Sequence, residues 1–335
     1  MAAEILSTHT LELFLKAVRR ASEILRAGEV VALPTETVYG LAANALNADA
    51  VAKIFEIKGR PAHNPIIVHV ASNEMAKRCA KNWPVVAADF SKAFWPGPLT
   101  LVLPRAENIP DNVTAGGETV GIRWPSHPFI QAVIRECGFP LAAPSANLSN
   151  QISPTNASHV REQLGDKISL IVDGGQSQVG IESTVLDLSV SPPRILRPGM
   201  IHLESLAAVV GNIECRTLNT EQRTLRSPGM LAKHYSPKAK LMVLNWHDEA
   251  DLQCKIQNSK FKIHSTHVIA HTIIPAGFDA ANVSVIPHDA EAFARALYAE
   301  LHRCDAAGAQ LIVVEAPPET AEWSGIADRL RRAAA

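Results

Sequence analysis

Two cationic side chains lie near the end of a predicted helix, where they could meet a polyphosphate. Lys58 and Arg60 flank Gly59, and Asn64 follows just before a predicted strand. Lysine neutralises phosphate as a point charge, whereas arginine can form a bidentate pair of hydrogen bonds with it. Cations at a helix C-terminus also serve as solvated partners of the helix dipole, which is the structural alternative. The segment is therefore a candidate phosphate site.

A second candidate is the turn Pro144-Ser145-Ala146-Asn147, which follows the apolar run 139–143. Small polar side chains and backbone amides at the exit of a strand can hold phosphate oxygens. An ordinary turn or helix cap is the alternative. Ser145 and Asn147 therefore join the candidate residues.

Alternation along a predicted strand gives a third group. In residues 119–123 the pleat puts Thr119 and Arg123 on one face, opposite Val120 and Ile122. Arg123 could meet a substrate carboxylate, or it could form a structural salt bridge. His69 is predicted to face away from the apolar side of its own strand, and a structural histidine is the alternative there.

Other classes of site are excluded by the sequence. It contains no P-loop, no zinc-protease helix motif, no nucleophile elbow and no set of kinase motifs. The five cysteines are scattered and odd in number, which argues against a disulfide framework and a zinc site. The net charge of -1 provides no global basic field for nucleic acid.

The elements that must position these residues alternate between helical and extended patterns. Apolar residues at helical spacing predict a helix from Leu11 to Leu25 and another that ends at Lys58. Strands are predicted at Val30–Leu33, Ile66–Val70, Leu99–Leu103, Thr119–Arg123, Ser169–Val172 and Thr184–Leu188. This order indicates an α/β fold with a mixed sheet.

Charge divides the chain into three regions. Residues 1–210 carry 18 Lys and Arg against 19 Asp and Glu, residues 211–240 carry 6 against 2, and residues 241–335 carry 8 against 12. We therefore predict a first domain over 1–210, a basic interdomain linker over 211–240 and a second domain over 241–335.

The second domain is predicted to be a small Rossmann-like parallel sheet, although it lacks the glycine-rich dinucleotide turn. Its pattern alternates strands with helices: strands Leu241–Leu244, His267–Ala270, Val283–Pro287 and Leu311–Glu315, and helices Ala290–Arg303 and Thr320–Arg332.

The longest apolar stretches, such as 65–70 and 311–314, are far shorter than the roughly 20 residues that span a bilayer. The first ten residues lack the features of a secretory signal. We therefore expect a cytoplasmic protein without a membrane partner.

Taken together, these fragments resemble the YrdC-like family, in which the same motifs occur in the same order. The motifs that carry the resemblance are Pro34-Thr35-Glu36-Thr37-Val38-Tyr39-Gly40-Leu41, Lys58-x-Arg60, Asn64 to His69, Trp95 to Thr100, Pro144 to Asn147, Glu182-Ser183-Thr184 and Arg197-Pro198-Gly199. The segment Lys233-His234-Tyr235-Ser236-Pro237 resembles the linker of the long, two-domain form. The resemblance implies a twisted mixed sheet with helices in the first domain.

The resemblance also implies an enzyme, a nucleotidyltransferase that makes L-threonylcarbamoyladenylate and pyrophosphate from L-threonine, bicarbonate and ATP. The product would feed tRNA modification completed by downstream transferase proteins. By similarity, the residues around the phosphates, which we take as catalytic, would be Lys58, Arg60, Ser145 and Asn147. Further ATP contacts would come from Asn64, Thr119, Ser153, Arg197, His234 and Tyr235. Threonine would be held by Thr37, His69, Arg123, Ala143 and Ser183.

Mg²⁺ is expected with ATP, although no acidic cluster in the sequence announces a metal site. Glu36, Asp173 and Glu182 lie near the motifs, but a structural role is the more common one for such residues. The linker with His234 and Tyr235 is a candidate lid over the nucleotide.

Two rival interpretations remain. An RNA-binding module without adenylating activity would fit the tRNA connection, and a weak tRNA contact is compatible with either view. A carbamoyl transferase of the same fold would require acylphosphatase and zinc-finger parts that this sequence lacks.

Overall fold

The computed structural model describes residues 2–215 and 234–335, which form two compact units. Of the described residues, the first unit comprises 2–149 and 153–215, and the second comprises 150–152 and 234–335. Most of the predicted basic linker therefore lies outside the described residues, and the predicted division at residues 210 and 240 stays a prediction.

The first unit alternates strands and helices as the sequence pattern indicates. Its strands are β1 (Glu4–Ser7), β2 (Val31–Leu33), β3 (Gly40–Asn44), β4 (Val68–His69), β5 (Leu99–Pro104), β6 (Thr119–Arg123), β7 (Leu141–Ala142), β8 (Leu170–Asp173), β9 (Thr184–Asp187), β10 (Arg194–Arg197) and β11 (Glu214–Cys215). Its helices are α1 (Leu11–Arg26), α2 (Ala48–Lys58), α3 (Asn73–Cys79), α4 (Val85–Phe94), α5 (Asp111–Thr114), α6 (Pro128–Cys137), α7 (Ala157–Leu164) and α8 (Leu203–Val210).

The strands of this unit form one mixed sheet. Within the described part of the chain it has 11 strands in the order β1-β8-β2-β3-β7-β4-β6-β5-β9-β10-β11. The pair β4 and β6 is parallel, whereas β3 and β7 are antiparallel, as are β5 and β6. The predicted mixed sheet is confirmed.

Local sequence signals set the helix that carries Lys58. The Asn47 side chain caps α2 by accepting hydrogen bonds from the backbone of Asp49 and Ala50. Gly59 ends the helix in the left-handed conformation with φ 59°, which glycine adopts without steric cost. Lys58 is therefore the last helical residue, and the chain turns sharply toward Arg60.

An apolar core holds the sheet and its helices together. One face of α1 is buried, and its Phe14 meets Phe129 of α6 edge to face with ring centroids 5.2 Å apart. Every residue of β2 is buried, as expected of a strand covered on both faces. This packing fixes the strands whose ends carry the candidate residues.

The second unit has its own sheet and core. Its elements are β12 (Lys240–Leu244), α9 (Glu249–Asn258), β13 (Thr266–Ala270), β14 (Val283–Val285), α10 (Ala290–Ala306), β15 (Leu311–Glu315) and α11 (Ser324–Ala333), with 3₁₀ turns at Ile263–Ser265, Ala280–Asn282 and Ala321–Trp323. The four strands are all parallel, in the order β12-β15-β13-β14. The predicted small parallel sheet is confirmed.

Several element bounds were predicted wrongly. The strand expected over Ile66–Val70 is only Val68–His69, because Ile66 N donates to Val113 O in the short helix α5 rather than to a neighbouring strand. The helix expected from Thr320 begins with a 3₁₀ turn, and its α-helical part is Ser324–Ala333. Elements that the pattern did not reveal include β1, β3 and α9.

Among the described residues, no helix combines the length and the apolar character that crossing a bilayer requires.

Candidate functional site

Three motifs that are far apart in sequence meet at the start of β3. Gly40 and Ser145 form an antiparallel bridge, and Leu41 N donates to Pro144 O at 2.8 Å. A Cβ on Gly40 would lie 3.3 Å from the Ala143 Cβ, so the close approach favours glycine. The turn 144–147 is therefore fastened directly to the segment that begins at Thr35.

Lys58, which belongs to the third motif, is hydrogen-bonded to the same turn. Its Nζ donates to the backbone oxygens of Ser145 and Asn147, both at 2.5 Å, and lies 3.3 Å from Asn147 Oδ1. Burial, and next the charge of Arg60, lowers the pKa of Lys58 well below its usual range. The surrounding oxygens favour the ammonium form in opposition to burial. The predicted proximity of Lys58, Ser145 and Asn147 is present in the structure.

Arg60 shapes the loop that follows α2. Its Nε donates to Asn64 O at 3.0 Å and its Nη2 to Pro65 O at 2.7 Å. The Asn64 side chain is fully buried, yet neither its Oδ1 nor its Nδ2 has a hydrogen-bond partner within residues 2–215 and 234–335. A buried amide without partners is costly, so this side chain is suited to a polar ligand group.

His69 and Arg123 are register partners on the parallel strands β4 and β6, so their side chains point to the same face of the sheet. Both side chains are buried. Burial lowers the pKa of His69 to about 3, and the charge of Arg123 acts in the same direction. His69 is therefore neutral at physiological pH, and its Nδ1 has no partner in the part of the chain that the structure describes.

Arg123 is surrounded by acceptors. Its Nη2 lies 2.8 Å from Glu36 Oε1, its Nη1 donates to Thr37 Oγ1 at 2.9 Å, and its Nε donates to Gly97 O at 3.3 Å. Burial would raise the pKa of Glu36, but the Arg123 charge and a hydrogen bond from Ser126 N bring it below its usual value. The salt bridge that the sequence left open is present.

The contact between Arg123 and Glu36 leaves hydrogen-bonding capacity unused. Nη2 has no well-aligned hydrogen bond, and neither does Glu36 Oε2, among the residues described. An arginine held in place by one carboxylate therefore still offers a donor to a second one.

A further cluster lies at the start of β9. Ser183 Oγ is 2.8 Å from Thr100 Oγ1, and Arg197 donates through Nη2 to Ser183 Oγ and through Nε to Ser183 O, both at 3.1 Å. A Cβ on Gly199 would meet Thr184 N at 2.5 Å, so the backbone here tolerates glycine alone.

The Ser153 hydroxyl is hydrogen-bonded to a carboxylate. Its Oγ donates to Glu182 Oε1 at 2.5 Å, and both side chains are buried.

Thr119 lies at the start of β6, on the Arg123 face but four residues from it, and is half-buried. Ala143 follows β7 and is buried, with its N donating to Ile67 O.

His234 and Tyr235 belong to the second unit. His234 N donates to Arg332 O at 3.2 Å. Tyr235 has a positive φ of 63°, is 1% exposed, and packs against Tyr298 and under the guanidinium of Arg329. Their contact with ATP stays a prediction.

Glu36 was expected to be structural, and its buried ion pair with Arg123 is such a role. One other polar residue of the first unit was undervalued. Thr100 was seen only as part of a motif, although it lies on β5 beside Ser183. A polar residue within the otherwise apolar run Leu99–Leu103 was the available signal.

A metal site is not formed by the protein atoms described. No three His, Cys, Asp or Glu side chains within residues 2–215 and 234–335 come together in a way that could hold an ion.

The fold and site define a two-unit α/β protein whose mixed-sheet unit presents buried cationic and unsatisfied polar groups. The Sua5/YciO/YrdC family model, described as "Telomere recombination", matches residues 23–199. The model described as "Threonylcarbamoyl-AMP synthase, C-terminal domain" matches residues 201–335. The chain belongs to the threonylcarbamoyl-AMP synthase family in its long, two-domain form.

Similar proteins cover nearly the whole chain. The threonylcarbamoyl-AMP synthase of Pyrococcus abyssi is 42% identical over 94% of this chain and 93% of its own length. That of Bacillus subtilis is also 42% identical, over 95% and 92%. The crystal structure of P. abyssi Sua5 complexed with L-threonine aligns with a TM-score of 0.90 and 39% identity, covering all of this chain and 98% of the other.

Proposed function

We propose that this protein is an L-threonylcarbamoyladenylate synthase that uses L-threonine, bicarbonate and ATP and releases pyrophosphate. The observation that carries the proposal is the convergence of distant motifs around buried polar atoms that have no hydrogen-bond partner among the described residues, above all the amide of Asn64. The relatives named threonylcarbamoyl-AMP synthase support the same activity.

The reaction proceeds in two bond-forming steps. The neutral threonine amine attacks the carbon of bicarbonate or dissolved carbon dioxide and gives a carbamate, with loss of water from bicarbonate or, in the case of carbon dioxide, loss of the amine proton to solvent. A carbamate oxygen then attacks the α-phosphorus of ATP, and the bond to the β,γ-pyrophosphate breaks. Positioning and neutralisation of charge carry most of the rate enhancement in such phosphorus chemistry.

ATP would bind along the edge formed by α2 and the turn 144–147. Lys58 and Arg60 would neutralise the phosphates, while Ser145 and Asn147 would donate hydrogen bonds to their oxygens. The Asn64 amide would form hydrogen bonds with the nucleotide. Further contacts are proposed for Thr119, Ser153 and Arg197.

Threonine would bind on the Arg123 face of β6. Its carboxylate would pair with the unused donor of Arg123, which Glu36 and Thr37 hold in place. Neutral His69 could accept a hydrogen bond from the hydroxyl or amine of threonine through Nδ1. Ser183 and Ala143 would complete the pocket.

Closure of the site would protect the carbamate, which is labile in water. We assign this role to the linker with His234 and Tyr235. Replacing Tyr235 with Ala should raise the loss of intermediate to solvent, and unchanged leakage would contradict a lid at this position.

The described side chains do not fit a resident metal site, so we derive no step through a metal. Mg²⁺ is proposed to arrive with ATP, held by phosphate oxygens and water. Delivery of the product to tRNA-modifying proteins, a weak tRNA contact and a cytoplasmic location belong to the same proposal.

The test is pyrophosphate release with ATP, threonine and bicarbonate, each omitted in turn. Release that needs all three is expected. Release without threonine, or none at all, would overturn the proposal. Salt-sensitive tRNA binding by a chain that releases no pyrophosphate would favour the RNA-binding alternative.

A further inference from the structure

The second unit contains a cavity of about 700 Å³ that the proposed synthase reaction does not use. It lies between the end of α9 with the segment that follows, residues 257–264, and the loop 277–282. These segments lead into β13 and β14, so the cavity lies at the amino ends of these strands. Its volume is that of a site for a small ligand.

Two of the three lysines of an acidic region line the cavity. Residues 241–335 contain three lysines, and Lys255 donates to Asp251 Oδ2 and to Asn245 O, both at 2.8 Å. The other two, Lys260 and Lys262, line the cavity with exposed side chains, and neither forms an ion pair with any described residue. Because no described residue forms an ion pair with these two cations, they can pair with an anionic ligand.

His264 adds an imidazole to the lining, and Asp279 is the one carboxylate among the lining residues. A second carboxylate, that of Glu249, accepts a hydrogen bond from the lining residue Gly277 through Oε2 at 2.8 Å. Asp279 Oδ1 already accepts a hydrogen bond from Ala281 N at 3.0 Å. The cavity therefore favours an anion, even though its region of the chain has an excess of acidic residues.

Aromatic and amide groups line the same cavity. Phe278 is 8% exposed and Phe261 is half-buried, so both are anchored in the unit while contributing to the cavity wall. Asn282 donates through Nδ2 to His264 O at 3.4 Å, and its Oδ1 can accept a hydrogen bond from a ligand. Aromatic rings beside an amide suit a flat, polar ring such as a nucleobase.

The backbone at Lys260 adds an independent observation. Lys260 has φ 68°, in the left-handed region where glycine is the usual residue after a helix. A lysine at this position costs about 1 kcal/mol relative to glycine.

We propose that this cavity is a binding site for a nucleoside phosphate, either a free nucleotide or a nucleotide within an RNA strand. The two lysines and His264 contact the phosphate, and the phenylalanines with Asn282 contact the base. The site is separate in sequence from every residue assigned to the synthase reaction.

Photo-crosslinking of the full chain tests the proposal. The probe is 2-azido-ADP, and peptide mapping locates the label. We expect labelling within the peptides that span 257–282, with competition by ADP but not by adenosine. The variant K260A/K262A should lower the affinity for that labelling at least about tenfold, since two charge-assisted contacts are lost.

The matched control is K77A/K92A, which removes two exposed lysines of the first unit and should leave this labelling unchanged. A parallel arm uses a short oligoribonucleotide that carries 4-thiouridine. Lysine-dependent labelling of the same peptides by 2-azido-ADP assigns the site to a free nucleotide, and labelling by the oligonucleotide alone assigns it to an RNA strand. Absence of labelling by both probes, or labelling that K260A/K262A does not weaken, overturns the proposal.

Discussion

Arg123 Nη2 lies 2.8 Å from Glu36 Oε1 between two side chains that are 4% and 7% exposed. The pair is formed by a strand residue and a loop residue 87 positions earlier in the chain. It fixes the guanidinium at the place where we propose that the threonine carboxylate binds.

Replacing Glu36 with Gln should therefore lower both stability and threonine affinity. The variant leaves the buried Arg123 charge without its counter-charge, which costs about 3 kcal/mol. Urea unfolding measures the stability, and the threonine dependence of pyrophosphate release measures the affinity. The exposed Glu107→Gln is the control, and a Glu36→Gln variant as stable as this control would contradict a stabilising ion pair.

The depressed pKa of His69 predicts a pH-dependent stability. In the unfolded chain a histidine takes up a proton near its ordinary pKa of 6.5, whereas buried His69 stays neutral down to about pH 3. The unfolded state thus binds more protons in this window, so the free energy of unfolding falls as the pH drops, by up to about 1.4 kcal/mol per pH unit.

His69→Asn should reduce this slope between pH 6 and pH 4, measured by urea unfolding of the full chain. The exposed His63→Asn serves as the control. Equal slopes in His69→Asn and the unmodified chain would show that His69 does not stay neutral.

Because Lys58 is buried, we expect ATP binding to be accompanied by the uptake of a proton. Burial lowers the pKa of Lys58 in the free protein, and arriving phosphates should raise the pKa again because they stabilise the ammonium form. Titration calorimetry in buffers of different ionisation enthalpy, repeated at pH values rising toward the ordinary lysine pKa of about 10.4, should therefore reveal proton uptake.

Lys58→Met should abolish this uptake. Lys53→Met is the matched control, since Lys53 lies on the same helix but bonds to Glu29 and Gly28 O. Uptake that persists in Lys58→Met would assign the proton to another group.

Replacing Asn64 should produce a trade-off between stability and ATP affinity. Its buried amide has no partner among the described residues, so Asn64→Leu removes an unsatisfied polar group at similar volume. We expect stability to be unchanged or higher by about 1 kcal/mol, while ATP affinity falls at least about tenfold. Thermal unfolding and ATP titration measure the two effects, with the exposed Asn108→Leu as the control. Retained ATP affinity would remove Asn64 from the nucleotide site.

The parallel sheet of the second unit was the easier part to predict, because apolar runs there alternate cleanly with helical patterns. Strand β15 matched its predicted bounds, Leu311–Glu315. Short strands of the first unit were harder: the apolar run 139–143 indicated a strand, but β7 covers only two of its residues, Leu141–Ala142, which pair with β3 and β4. The bounds of such a strand depend on its pairing partners more than on propensity.

The sequence by itself determined the family, through ordered motifs, and the residue types that the chemistry needs. Only the tertiary structure decided how these residues are paired. Spacing could not tell whether Arg123 meets a substrate or a protein carboxylate, because Glu36 reaches it through the fold and not through strand periodicity. The same holds for Lys58, whose contacts with the turn 144–147 arise from long-range packing. Periodicity fixes which face a side chain occupies, whereas partners and burial depend on the packing of elements distant in sequence.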